Sequence, residues 1–248
     1  MSTGLTGNAH AMQTLAGGAA RLGVTLSPVQ LDQFALYRDE LLAWNRRANL
    51  TAITDPDEVE VKHFLDSLSV LLAMDGPPRH GFRVIDIGSG AGFPGLPLKI
   101  TCPDISLTIL ESVGKKTAFL DHVLAALRLK SVAVIHGRAE DVAQRPEHRE
   151  EYDLVVARAV APMATLAELT LPLCAVGGTV VAMKSANVEE ELRQSAASLE
   201  ILGGRMRACM PVTLQGLEGR TLVVIDKAST TPRRYPRQAG IPKKRPLE

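Results

Sequence analysis

The sequence predicts an α/β protein: a doubly wound, mostly parallel sheet of seven strands, closed at its C-terminal end by an antiparallel hairpin and preceded by a small helical subdomain. Three observations predict it. From Phe82 onward, short continuous apolar runs alternate with amphipathic segments of helical length, as expected of strands buried on both faces and joined by covering helices. The first run ends in a glycine-rich turn, Gly88 to Gly95. The last two runs are separated only by a short Gly-containing link, which is hairpin spacing.

Taken in order, residues 1–26 are Gly/Ala-rich and read as a flexible arm with at most one short helix. Ser27-Pro28-Val29-Gln30 opens the first strong helix: serine caps, proline suits the first helical position, and glutamine closes a capping box. Leu31, Phe34, Leu41, Leu42 and Trp44 supply its apolar side. After a polar connection, Asp55-Pro56-Asp57-Glu58 opens a second helix by the same logic, with Val59, Leu65, Leu68, Leu71 and Leu72 apolar. Residues 27–76 thus form the helical subdomain. Within 77–228, strands are predicted at Phe82–Ile87, Ser106–Leu110, Val132–Ile135, Leu154–Ala157 and Thr179–Met183, then the hairpin Arg205–Thr213 and Thr221–Asp226. Intervening helices fall at Pro94–Thr101, Lys115–Leu127, Met163–Leu173 and Val188–Leu202. Residues 229–248 form a basic tail, in which Pro232, Pro236, Pro242 and Pro246 are expected to forbid a regular helix or a central strand.

A chain of 248 residues with 46% apolar content can bury a sizeable α/β core. The net charge of +1 is silent about partners. Cys102, Cys174 and Cys209 are isolated from one another and from histidines at ligand spacing, so no disulfide framework or metal site is expected. No apolar run reaches bilayer-spanning length, and the N-terminus lacks the pattern of a signal peptide. A cytoplasmic protein with no membrane partner is expected. Oligomeric state is left open, with a monomer as the working expectation.

The chemistry concentrates at Val84-Ile85-Asp86-Ile87-Gly88-Ser89-Gly90-Ala91-Gly92-Phe93-Pro94-Gly95, where a strand turns into a helix. Glycines allow a tight turn and close approach of a ligand to bare backbone. Gly90-x-Gly92-x-x-Gly95 satisfies a dinucleotide pattern, but Asp86 would sit awkwardly beside a pyrophosphate. The Asp-x-Gly-x-Gly-x-Gly arrangement, with an acid at the strand end, resembles the first motif of class I methyltransferases, which implies that Asp86 helps hold the ammonium group of S-adenosyl-L-methionine, directly or through water. Glu111, ending the second strand, can accept from both ribose hydroxyls of either ligand. Gly137-Arg138-Ala139-Glu140-Asp141 follows the third strand and by itself is a routine charged loop.

Together these segments resemble the small-subunit ribosomal RNA methyltransferase G family, also called glucose-inhibited division protein B. The resemblance rests on Trp44-Asn45-x-x-x-Asn49-Leu50-Thr51, Lys62-His63-x-Leu65-Asp66-Ser67, Asp86 to Pro97, Leu110 to Phe119, Arg138-Ala139-Glu140, Ala157-Arg158-Ala159 and Met183-Lys184. It extends over roughly residues 30–246. It implies a class I, Rossmann-like methyltransferase sheet and S-adenosyl-L-methionine as cofactor. The implied substrate is 16S ribosomal RNA, as RNA, precursor or small subunit, methylated at guanine N7 in the 530 loop. The family's cofactor positions fall on Gly88, Phe93, Ala139, Glu140 and Arg158, beside Asp86, Gly90, Gly92 and Glu111 from the loop argument.

Guanine N7 carries an in-plane lone pair and no proton, so the implied transfer needs no general base. Its demands are alignment and charge stabilisation. Arg158, Lys184, His63 and Asp66 are the candidates around the target base, and Arg46 and Arg47 are candidate phosphate contacts. In the tail, Arg233, Arg234, Tyr235, Arg237, Lys243, Lys244 and Arg245 are the candidate RNA contacts, with Tyr235 free to stack on an unpaired base. Two rival readings are an NAD-dependent oxidoreductase and a non-catalytic RNA-binding assembly factor.

Overall fold

The structure is a computed structural model and describes residues 12–74, 76, 78–185 and 188–247. The expectations for residues 1–11, Pro77 and Glu248 lie outside the described residues. Before the sheet come helices α1 (Gln13–Arg21) and α2 (Pro28–Ala48), and then one helical segment of changing pitch. That segment runs as α3 (Pro56–Val59), a π-helical stretch Glu60–Leu65, α4 (Asp66–Leu68) and a 3-10 stretch Ser69–Ala73. The sheet follows: β1 (Arg83–Ile87), α5 (Gly95–Thr101), β2 (Ser106–Glu111), α6 (Gly114–Leu127), β3 (Val132–His136), α7 (Ala139–Val142) and β4 (Tyr152–Arg158). It is completed by α8 (Met163–Thr170), β5 (Cys174–Ser185), α9 (Glu189–Ile201), β6 (Gly204–Pro211) and β7 (Arg220–Lys227), and α10 (Ile241–Lys244) is a single turn in the tail.

The seven strands lie in the order β3-β2-β1-β4-β5-β7-β6. β1 to β5 are parallel, while β7 runs antiparallel to both β5 and β6. The expected hairpin is present, and its second strand is the inner one. Strand alternation feeds two cores. Leu154 and Val156 face one side with Leu107, Ile109, Phe34 and Phe64. Val155 and Ala157 face the other with Ile85, Met163 and Leu199. The N-terminal helices therefore cover one face of the sheet rather than standing apart from it.

The Ser27 box forms as predicted. Gln30 N donates to Ser27 Oγ at 3.3 Å, and Ser27 N donates to Gln30 Oε1 at 2.8 Å. The amide of Gln30 also caps the far end of α5, donating to the carbonyls of Ile100 and Thr101.

The one short helix allowed for in the arm is α1, but from Met12 onward the segment is packed and not flexible. Met12, Leu15 and Ala19 are buried, and the buried Glu60 carboxylate accepts from Leu15 N at 3.3 Å while pairing with Arg38 at 3.1 Å. Gly18 permits the crossing, since a Cβ there would lie 2.5 Å from Leu65 Cδ2. Gly/Ala-rich composition suggested a loose segment. Burial of a small apolar stripe against Leu65 decides otherwise, because packing outweighs propensity.

Candidate functional site

The glycine turn lies at the carboxyl end of β1, where open α/β sheets bind ligands. Asp86 is fully buried. Its Oδ2 accepts from Gly95 N at 2.8 Å and from the Ser89 hydroxyl, whereas Oδ1 has no protein partner. Burial raises its pKa to about 6 against those bonds, which lower it. Asp86 thus occupies the start of α5, where a dinucleotide pyrophosphate would have to sit. That argues against the oxidoreductase reading and leaves a carboxylate oxygen without a protein donor.

The glycines have separate causes. Gly88 has φ +66°, and a Cβ there would meet Val160 Cγ2 at 2.9 Å. At Gly92 the obstacle is Tyr37, whose hydroxyl would lie 2.5 Å from a Cβ. That hydroxyl donates to Ala91 O at 2.5 Å and holds the turn against α2. Only Gly90 faces open space, with Lys116 Nζ at 3.9 Å.

Glu111 ends β2 with both oxygens engaged. Oε2 accepts from Gly90 N and Oε1 from Val113 N, each at 2.8 Å. A carboxylate offers about four lone-pair sites, so it still has capacity for hydroxyl donors. Beside it opens a cavity of about 180 Å³. Gly88, Leu110, Ala139, Glu140, Val160 and Leu169 are among the residues that line it. This largely apolar slot at the ends of β1, β2 and β3 suits a flat heterocycle.

A second cluster forms at the end of β4. The motif Asn45 to Thr51 folds back on itself: Asn45 Oδ1 accepts from Leu50 N and Thr51 N at 2.6 and 2.9 Å, and its Nδ2 donates to Thr51 O at 2.9 Å. This brings Thr51 Oγ1 to 2.8 Å from His63 Nε2. Arg158 donates to Asp66 Oδ2 at 3.0 Å, to Lys62 O at 3.2 Å and to His63 Nδ1 at 3.2 Å. A guanidinium can only donate, so Nδ1 accepts and His63 carries its proton on Nε2. Burial and the Arg158 charge lower the His63 pKa to about 3. Phe93 lies beneath, stacked on His63 at 4.4 Å, with the Arg158 guanidinium 4.9 Å from its ring. The π-helical stretch and the turn after it place His63 and Asp66 together against Arg158.

Arg158, His63, Asp66 and Phe93 are therefore brought together, while three expectations need correction. The Lys184 ammonium is held by Ala161 O at 3.0 Å and Glu191 Oε1 at 2.5 Å, so it joins the loop after β4 to α9 instead of presenting a free charge. Tyr235 is buried in the second core and has no free face for a base. Arg237 forms a forked pair with the fully buried Glu168, so it secures the tail. Arg233, Arg234, Lys243, Lys244 and Arg245 remain exposed. Tyr37, Thr51 and Val160 also shape the site without having been singled out by sequence reasoning. Thr51 ends the Asn49-Leu50-Thr51 motif, but nothing local marks the other two.

The family model described as "rRNA small subunit methyltransferase G" matches residues 30–216. The chain belongs to this family. A family member from Dehalococcoides mccartyi, named "Ribosomal RNA small subunit methyltransferase G", is 52% identical over 238 residues, covering 95% of this chain and 100% of its own length. A relative of the same name from Roseiflexus castenholzii is 51% identical, covering 92% and 97%. Among solved structures, a SAM-dependent methyltransferase from Aquifex aeolicus has a TM-score of 0.51 at 16% identity, over 69% of this chain and 93% of its own. TrmN from Thermus thermophilus has a TM-score of 0.54 at 19% identity, over 74% and 53%. These two share the fold. Family membership makes S-adenosyl-L-methionine the methyl donor, and the residues fit it: an orphaned acid for its ammonium group, a strand-end carboxylate, and an apolar slot.

Among the described residues, no helix is long and apolar enough to cross a membrane.

Proposed function

We propose that this chain methylates N7 of a guanine in the 530 loop of 16S ribosomal RNA, by direct in-line transfer without a general base. The observation that carries this reading is the state of His63. It is the histidine beside Arg158 at the strand ends, and its Nδ1 is taken by Arg158 while its proton is committed to Thr51. An acceptor with a ready lone pair needs no base, and N7 is such an acceptor.

When bound, S-adenosyl-L-methionine supplies an electrophilic methyl group on a sulfonium. Asp86 receives its ammonium group at Oδ1, directly or through water. Glu111 accepts from the ribose hydroxyls, and the slot between Gly88, Ala139 and Val160 takes the adenine. Arg158, locked by Asp66 and His63, forms a rigid edge over Phe93 against which the target base aligns. Alignment of this kind can supply up to ~7–11 kcal/mol in favourable cases. The exposed tail cations contact phosphates. A ribosomal RNA substrate places the protein in the cytoplasm.

Incubating the protein with 16S RNA, precursor particles or small subunits and labelled S-adenosyl-L-methionine tests the reading. Label should appear as 7-methylguanosine, mapped by cleavage at the modified base. Label confined to another atom or another region would overturn it.

A further inference from the structure

The tail leaves β7 and crosses back over the sheet, pinned at successive points. Lys227 is fully buried, with Nζ 2.8 Å from Leu171 O and 3.0 Å from Glu150 Oε1. Arg149 donates to Thr231 O at 2.8 Å and to Tyr235 O at 2.9 Å. Arg237 locks onto Glu168. Beyond these anchors, Gly240 N donates to Glu140 Oε1 at 2.9 Å, and Thr165 Oγ1 donates to Pro242 O at 3.1 Å. The chain thereby ends against the strand-end slot. Gly240, Pro242 and Lys243 line the same cavity as Gly88 and Ala139.

The geometry points to residues 239–245 as the outer wall of the adenosyl pocket, so that cofactor affinity depends on the docked tail. The wall rests on the reading that this cavity takes the adenosyl end. It lies outside the span matched by the family model, which stops at residue 216. The physical case has two parts. An apolar slot excludes water only when all its sides are present, and Gly240, Pro242 and Lys243 of the tail supply part of its lining. The tail also fixes Glu140 through Gly240 N, orienting α7 and the Ala139 backbone that the adenine would meet. A basic tail serving RNA alone would not need Thr231 and Tyr235 buried and Arg237 paired with a buried carboxylate, nor a return to the pocket.

The test is cofactor binding by calorimetry, with S-adenosylhomocysteine as probe, on a chain ending at Gln238. This truncation keeps Tyr235 and the Arg237–Glu168 pair but removes the wall. The dissociation constant should rise tenfold or more while the unliganded melting temperature moves by a few degrees at most. Gly240→Pro, which removes the N–H given to Glu140 at a residue with φ +84°, should weaken binding in the same direction at full length and serves if the shortened chain does not fold. Ala139→Trp fills the cavity from the other side. If Ala139→Trp weakens binding while the truncation and Gly240→Pro do not, the wall is overturned and the pocket reading stands. If none of the three weakens it, both are overturned.

Discussion

Arg158 donates to His63 Nδ1 across 3.2 Å although the two residues are 95 positions apart. That contact fixes the imidazole tautomer, and burial together with the Arg158 charge holds the His63 pKa down to about 3. His63 is therefore a neutral spacer between Thr51 and Arg158 throughout the physiological range. Its ring C–H resonances should stay constant from pH 8 to pH 5. A titration centred near the ordinary value of about 6.5 would contradict the packing. Asp66, sharing Arg158, is the partner whose loss matters more. Asp66→Asn should lower the transfer rate while leaving cofactor affinity nearly unchanged, as measured by single-turnover kinetics and calorimetry.

Asp86 gives a pH dependence of known sign. Its folded pKa is raised to about 6 from 3.8. The unliganded fold therefore favours the protonated acid, and that contribution is fully present below pH 4 and lost as pH rises through 6. The full difference is about 3 kcal/mol at one pH unit per 1.36 kcal/mol. Asp86→Asn should raise the unliganded melting temperature at pH 8. Binding runs the other way, because the cofactor's ammonium group needs the ionised acid. Affinity should increase between pH 5 and pH 7 in the parent chain and be flat over that range in Asp86→Asn. A parent profile equally flat would remove Asp86 from the site.

Glu111 combines two duties, bracing Gly90 and leaving acceptor capacity for ribose hydroxyls. Glu111→Ala should cost roughly 1–3 kcal/mol of cofactor affinity as charge-assisted bonds are removed. Glu111→Gln keeps an acceptor for one backbone N–H and should lose less. Saturating cofactor should recover much of the transfer rate in both. A rate defect that cofactor cannot restore would assign Glu111 another role.

Legibility in the sequence divides by distance along the chain. The Ser27–Gln30 box, the strand runs and the turn Asp86 to Gly95 are local patterns, and they stand where the residues predicted them, except that β5 begins at Cys174, ahead of the predicted Thr179. The same Gln30 also caps α5 some 70 residues away, which no local pattern announces. The tail shows the limit most clearly. Its composition suggested a row of RNA contacts, yet Arg237 meets Glu168 69 residues upstream, a pairing that no local pattern marks. The buried stripe of α1 was similarly hidden, because Leu15 and Ala19 acquire their meaning only from Leu65 and Glu60.

The tail's cations should therefore separate into two classes on mutation. Arg237→Ala leaves Glu168 buried without its partner, and breaking such a pair costs about 3–5 kcal/mol. Its signature is a lower melting temperature, partly restored by Glu168→Leu in the same chain. Arg233, Arg234, Lys243, Lys244 and Arg245 are exposed, so replacing Arg233, Arg234 or Lys244 by alanine should leave melting unchanged. Removing one cation that binds a phosphate should make the slope of log affinity against log salt shallower by ~0.7–0.9. Because the same segment walls the cavity, RNA and cofactor binding should also be linked, each strengthening the other by one common factor. RNA affinity measured across a salt series, with and without S-adenosylhomocysteine, reads both effects. In the chain ending at Gln238 the salt slope should be shallower and the linkage absent. Equal slopes in the full and shortened chains would remove Lys243, Lys244 and Arg245 from the RNA surface and leave the tail's contribution to Arg233 and Arg234, which the shortened chain keeps.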